Sequence, residues 1–394
     1  MMKHLGRALA LGIAALAFGV APAAPARAAD PLEIYALAPL TGPLAFYGQG
    51  VQASLVAEAA AINAAGGVHG RNLHFTVLDD QGNPQIAVQL VAPLPAKGVP
   101  IIIDAGPAAT CYATTAALKN NAVVFCLSTA YEPRGDSYSF TTPFSLEDAM
   151  AAQVRFFRKR GLKRIAFITA TDATGVAADV VTTNLLAYPE NKDVVAVARE
   201  RFGNSDISVT AQIARIRNAN PQAIYALGSG PSLALIFREM RDAGLALPTG
   251  TLAVNQNAKL LVSYGPIVPA DLEMVSARWA AFSVMGAGPV KDRVAAYFRT
   301  LNKAGVSTDG PASLPWDAVL FIADAYRKLG DAPSPTALRD YIAAIHDVAG
   351  IDGFYDFPAT PGRGLTSKDS VVLRWNGKKQ TFDPVSTAGG QAPL

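Results

Sequence analysis

Residues 32–80 read LEIYALAPLTGPLAFYGQGVQASLVAEAAAINAAGGVHGRNLHFTVLDD, and this run decides the fold class. Residues 32–39 are a short, mostly apolar stretch that predicts a β-strand. Residues 51–65 carry apolar side chains spaced by three and four, as a helix with one buried face requires. Gly66-Gly67 supplies the left-handed cap that stops such a helix. Residues 73–78 predict a second strand, ending on Asp79-Asp80. Strand, helix, strand in this order implies a crossover connection, which makes the two strands parallel.

The same alternation continues outward. Residues 84–91 predict a helix with proline in its first turn. Residues 99–103 are so apolar that both faces must be covered, as in a central parallel strand. A helix over 108–120 and a buried strand over 123–127 follow. The order then restarts, with helices over 146–160, 176–186, 209–218 and 233–243 and strands over 164–169, 194–200, 223–227 and 252–254. After 275 come three helices, over 290–303, 316–329 and 336–345. Asn376-Gly377 predicts a hairpin turn between strands at 371–375 and 380–382. Two α/β runs of similar length, in a chain of 394 residues, predict two doubly wound parallel-sheet lobes, because one core rarely grows that large.

The amino terminus has the pattern of an export signal. Lys3, His4 and Arg7 precede an uncharged apolar run over 8–20, and Ala26-Arg27-Ala28 offers small residues for cleavage. The thirteen residues of that run fall short of the roughly 20 needed to span a bilayer of about 30 Å. The expectation is a cleavable signal over 1–29 and a periplasmic protein that is not lipid-anchored, since no cysteine stands near the cleavage site. Lys3, Arg7 and Arg27 account for the formal net charge of +3, leaving 31 basic residues against 31 acidic ones. A near-neutral chain without basic runs has no footprint for nucleic acid.

Cys111 and Cys126 are the chain's two cysteines, too few for a zinc site. Either they form a disulfide, which would close a loop of about 15 residues and contribute roughly 3 kcal/mol, or they are buried free thiols. Export to an oxidising compartment makes the bond the expectation. Gly48-Gln49-Gly50-Val51-Gln52-Ala53 matches a dinucleotide-binding pattern. However, residues 40–47, with Pro43, Phe46 and Tyr47, intervene between strand and glycines and are too bulky to cradle a pyrophosphate. His69, His74 and His346 are scattered, and no nucleophile or metal motif is present. The reading is therefore a non-enzyme with no cofactor and no metal, and Asp79-Asp80 reads as a strand-ending turn. The loops at the strand ends carry Ser, Thr, Asn and Gly. Such hydroxyls, amides and free backbone N–H groups suit reversible capture of a small polar or anionic ligand.

Several strings extend this reading: Ala38-Pro39-Leu40-Thr41-Gly42-Pro43 with Tyr47-Gly48, Ile62-Asn63-Ala64-Ala65-Gly66-Gly67-Val68-His69-Gly70, and Leu78-Asp79-Asp80. Ala219-Asn220-Pro221-Gln222 and Met240-Arg241-Asp242-Ala243-Gly244-Leu245 support them. In these residues the chain resembles the periplasmic solute-binding proteins of ABC transporters, of the branched-chain amino acid (Leu/Ile/Val-binding protein-like) class. The resemblance implies the type I periplasmic binding protein fold, with three crossovers near 141–147, 277–282 and 350–353. One lobe would comprise 30–145 and 281–351, the other 146–280 and 352–385, and residues 386–394 would be a disordered tail. The implied partners are a small-molecule ligand between the lobes and the permease subunits, with the binding protein itself a monomer.

The family's ligand positions fall on Tyr47, on Ala109 or Thr110 (of which only Thr110 keeps a hydroxyl), and on Ser128, Thr129 and Ala130. In the second lobe Thr174 and Ser229 stand where tyrosines are expected, and Asn255 where an acid holds the α-ammonium of an amino acid. A desolvated ammonium without a charged acceptor costs several kcal/mol. The departures imply a solute other than a plain amino acid, such as an aromatic or other organic carboxylate. An amino acid or amide ligand, and a sensing rather than a transporting role, are the alternatives.

Overall fold

A computed structural model describes residues 30–394; the expected export signal lies outside the described residues. The first sheet holds β1 (Leu32–Ala38), β2 (Leu73–Asp79), β3 (Ile101–Asp104), β4 (Val123–Cys126) and β5 (Ser139–Phe140), in the order β2-β1-β3-β4-β5 and all parallel. Every residue of β3 and β4 is buried, as strands covered by helices on both faces must be. Three helices make the crossovers: α1 (Ala45–Ala64), α2 (Pro84–Val91) and α3 (Ala108–Leu118). Gly67, at φ 72°, turns the chain out of α1, and its N–H donates to Ile62 O at 2.9 Å.

The second sheet repeats the plan. Helices α4 (Leu146–Lys159), α5 (Ala173–Ala187), α6 (Thr210–Asn218), α7 (Pro231–Asp242) and α8 (Ala258–Tyr264) accompany β6 (Arg164–Ala170), β7 (Val195–Phe202), β8 (Ala223–Leu227), β9 (Thr249–Thr251) and β10 (Leu272–Ala277). Strand order β7-β6-β8-β9-β10 matches that of the first sheet. The chain then returns to the first sheet as α9 (Pro289–Ala304), α10 (Gly310–Ser313), α11 (Trp316–Leu329) and α12 (Pro335–Ala343). Val294, Phe321 and Ile342 from these helices share a core with Ile34, Ile103 and Phe125. A short pair, β11 (Val348–Ala349) with β12 (Phe354–Tyr355), precedes a hairpin, β13 (Ser370–Asn376) with β14 (Thr381–Pro384), which adds to β10 antiparallel.

Strand β10 is hidden in the sequence by Glu273, a fully buried acid at its second residue. Arg160 and Arg374 both donate to Glu273 Oε1, and Gln153 Nε2 donates to Oε2 at 2.9 Å. A buried carboxylate is tolerated when donors of this kind satisfy it.

Two expectations fail. Residues after 385 are not disordered: Ser386, Gly389 and Gly390 are buried, and Arg155 Nη1 donates to Gly389 O at 2.6 Å. Small residues let this tail lie flat on α4, where a Cβ at Gly390 would overlap Ala152 O. Cys111 and Cys126 are free thiols, both buried in the apolar cluster beneath α2 and α3. Cys111 Sγ is turned to Asp104 O at 3.7 Å rather than bonded to its neighbour. Burial raises both thiols, Cys126 to about 11, so they remain neutral.

Candidate functional site

In an open α/β sheet, ligands bind beyond the carboxyl ends of the strands where the strand order reverses. That point lies between β1 and β3 in the first sheet and between β6 and β8 in the second. The two reversal points face one another across a cavity of about 470 Å³. Its walls come from the loops after β1, β3 and β4 on one side, from those after β6, β8 and β9 on the other, and from the crossovers at Trp279 and Asp352. Both lobes use the same device to bring a helix to the site. A Cβ at Gly48 would overlap the carbonyl of Pro39, and one at Gly175 the carbonyl of Ala170. The two glycines let α1 and α5 start close against the ends of their strands.

Seven of the expected positions line this cavity: Tyr47, Ala109, Ser128, Thr129, Ala130, Thr174 and Ser229. Tyr47 is 7% exposed. Burial first, then the neighbouring Cys111, Asp104 and Asp80, raises its phenol far above the ordinary range, so it remains a neutral donor.

Thr110 and Asn255 lie behind the wall instead. Thr110 Oγ1 is fully buried and held by Asp104 Oδ1 at 3.1 Å and Pro107 O at 2.8 Å. Asn255 Nδ2 donates to Gly228 O at 2.9 Å and to Thr251 Oγ1 at 3.1 Å, while its Oδ1 accepts from Gly230 N at 3.3 Å. Asn255 shapes the loop that carries Ser229; both its N–H donors are used within that loop, and it is fully buried outside the cavity lining.

Asp79 and Asp80 act as turn fasteners. Asp79 takes donors from Leu40 N, Gln81 N and the Thr41 hydroxyl, the last at 2.6 Å. Burial pushes Asp80 up to about 7, opposed by the Gly82 N–H and reinforced by Asp104 and Asp79. His69, His74 and His346 pair with Asp331, Glu33 and Asp356 at the surface. Among the described residues no group of His, Cys, Asp and Glu could hold a metal.

Sequence reasoning missed the floor of the cavity. Trp279 (4% exposed), Phe144, Gln256 and Asp352 all line it. No Lys or Arg side chain does so among the described residues; its two acids are Asp172 at the exposed rim and Asp352 at the floor. Asp172 caps α5 through Gly175 N at 2.9 Å and accepts from Asn204 Nδ2 at 2.7 Å. The lobes touch beside the cavity. A Cβ on Gly230 would lie 3.2 Å from Phe46 Cε1, Gly310 N donates to Gln256 O at 2.9 Å, and Asn257 Nδ2 donates to Asp309 Oδ2 at 2.8 Å.

Two lobes of like topology around one cavity meet their counterpart in a family model described as periplasmic binding protein, which matches residues 31–380. The chain belongs to the periplasmic binding protein family. Among its relatives, a leucine-, isoleucine-, valine-, threonine- and alanine-binding protein of Pseudomonas aeruginosa is 26% identical over 223 residues, 55% of this chain and 59% of that one. This binding protein thus spans about three fifths of that relative's length. A periplasmic binding protein type 1 from Bordetella pertussis superposes with a TM-score of 0.76 at 22% identity, covering 93% of this chain and 100% of that one. A solute-binding protein of an ABC transporter from Rhodopseudomonas palustris, in complex with benzoate, superposes with a TM-score of 0.74 at 16% identity, covering 92% and 97%. The fold expected from the sequence is thereby established. Among the described residues, no helix of the binding protein is long and apolar enough to cross a membrane.

Proposed function

We propose that this protein captures a small organic solute between its lobes in the periplasm and presents the closed complex to the permease of an ABC transporter. The observation that carries the reading is the single cavity spanning two facing strand-reversal points, walled by both lobes. Its volume falls within the roughly 300–1,000 Å³ range of small-molecule sites. Binding there favours the closed arrangement because both lobes contribute contacts, and a ligand shifts a conformational equilibrium only through such differential contacts.

The solute class that fits is an aromatic or other organic carboxylate. Phe144, Tyr225, Leu227 and Trp279 supply apolar walls. The hydroxyls of Ser128 and Thr129, beside the start of α3 with no side-chain cap, supply donors for a carboxylate. The amide of Asn255 cannot stand in for the acid that an α-ammonium needs. The benzoate in the Rhodopseudomonas palustris neighbour is of the proposed class.

Mass spectrometry of whatever co-purifies, followed by calorimetric titration with leucine, an amide and a set of aromatic acids, tests this. An aromatic acid should bind near or below micromolar; tight binding of leucine alone would contradict the class. Tyr47→Ala should weaken the bound member at least tenfold, about 1.4 kcal/mol, through loss of aromatic contact area. Thr110→Val should change affinity little, because its hydroxyl serves Asp104.

A further inference from the structure

Among the described residues, Asp352 is the one buried carboxylate that lines the cavity. It is 4% exposed, lines the cavity floor, and its Oδ1 has no hydrogen-bond partner. Its backbone is pinned: N–H donates to Asp317 Oδ2 at 3.0 Å, and its carbonyl accepts from Arg278 N at 3.4 Å. On either side, a Cβ at Gly350 would overlap Asp317 and one at Gly353 would overlap Asp369, so the strap lies close against both acids.

The two acids against its strap, Asp317 and Asp369, are already served. Asp317 accepts from Ile351 N, Asp352 N and the Tyr355 hydroxyl, which is shared with Thr142 O. Asp369 accepts from Thr366 N at 3.2 Å and faces Arg278 at 4.0 Å. Asp352 has no such ion pair among the described residues. Burial, then the charges of Asp317 and Asp369, raises its carboxyl well above the usual range, opposed by the Tyr355 hydroxyl; in either protonation state a carboxyl oxygen can accept a hydrogen bond.

An unmatched buried polar group costs about 1–3 kcal/mol. A site that holds one in reserve for its ligand rejects analogues that cannot pair with it. We propose that Asp352 is a specificity-determining residue that recognises a hydrogen-bond donor, a hydroxyl or amino group, on the hinge-facing end of the solute. The proposal rests on the reading of the cavity as the site for an organic carboxylate. It adds that the carboxylate end meets Ser128 and Thr129, while the far end carries a polar substituent against the floor.

Calorimetry with benzoate, its 3- and 4-methyl forms, and its 3- and 4-hydroxy and amino forms separates the possibilities, using the wild type, Asp352→Asn and Asp352→Leu. Wild type should bind one hydroxy or amino form at least tenfold more tightly than the methyl form of the same position, and which of the two it prefers identifies the donor. Asp352→Leu should abolish that preference while binding the methyl form as well or better, and Asp352→Asn should keep part of it. Circular dichroism checks that each variant is folded; should Asp352→Leu fail to fold, the wild-type preference and its reduction in Asp352→Asn decide. Equal binding of methyl and donor-bearing forms by wild type, or a preference that survives loss of the carboxyl, overturns the inference alone. Failure of every probe to bind wild type overturns the solute class, and this inference with it.

Discussion

Asp317→Ala should destabilise the protein by about 4 kcal/mol, because two buried N–H groups lose their acceptor at about 1–3 kcal/mol each and the Tyr355 hydroxyl is left with Thr142 O alone. The donors are Ile351 N, Asp352 N and the Tyr355 hydroxyl, at 2.8, 3.0 and 2.9 Å. They fix the third crossover against α11, so the loss reaches the cavity floor as well as the fold. In thermal unfolding the midpoint should fall by roughly 8–16 °C, from about 2–4 °C per kcal/mol for a domain of this size class. Solute affinity should fall with it, since Asp352 is held by the same strap. Asp317→Asn retains one acceptor oxygen and should lose less than half as much. A midpoint within 2 °C of wild type for Asp317→Ala would mean that the crossover is not held in this way.

The second large effect concerns the helix starts. Gly175→Ala should cost about 3 kcal/mol, at the upper end of overpacking penalties, because a methyl group there would overlap the carbonyl of Ala170. Gly48→Ala should behave alike, since the clash with Pro39 is the same contact in the other lobe. Neither glycine has a left-handed backbone that would explain the requirement; the close approach alone demands it. Denaturant unfolding of each variant measures the cost. The pair should also weaken solute binding, because α1 carries Tyr47 and α5 carries Thr174. Alanine accepted at both positions without loss would contradict the packing that brings these helices to the cavity.

Much of this molecule is readable from short-range patterns. Residues 32–80 announce their strand, helix and strand through apolar spacing and the Gly66-Gly67 stop, and the hydroxyl-rich strand ends point at the cavity from both lobes. What escapes is decided by distant contacts. Gly48 and Gly50 read as loop glycines, yet α1 begins at Ala45 and they lie within it. Thr110 and Asn255 sit at the right places in sequence but turn back to Asp104 and to the loop at Gly228–Gly230, choices no local signal reveals. Trp279 and Asp352 reach the cavity only because the second and third crossovers run beneath it. Strand β10 is masked by Glu273, whose burial makes sense only once Arg160 and Arg374 are brought to it from far away in sequence.

The central claim is that the two lobes close over a solute, and small-angle X-ray scattering of the same sample with and without the co-purifying solute tests it most directly. The solute-bound protein should scatter as the closed form, with Gly230 against Phe46, and stripping the solute should raise the radius of gyration. A curve that stays the same while calorimetry shows the solute bound would contradict the account.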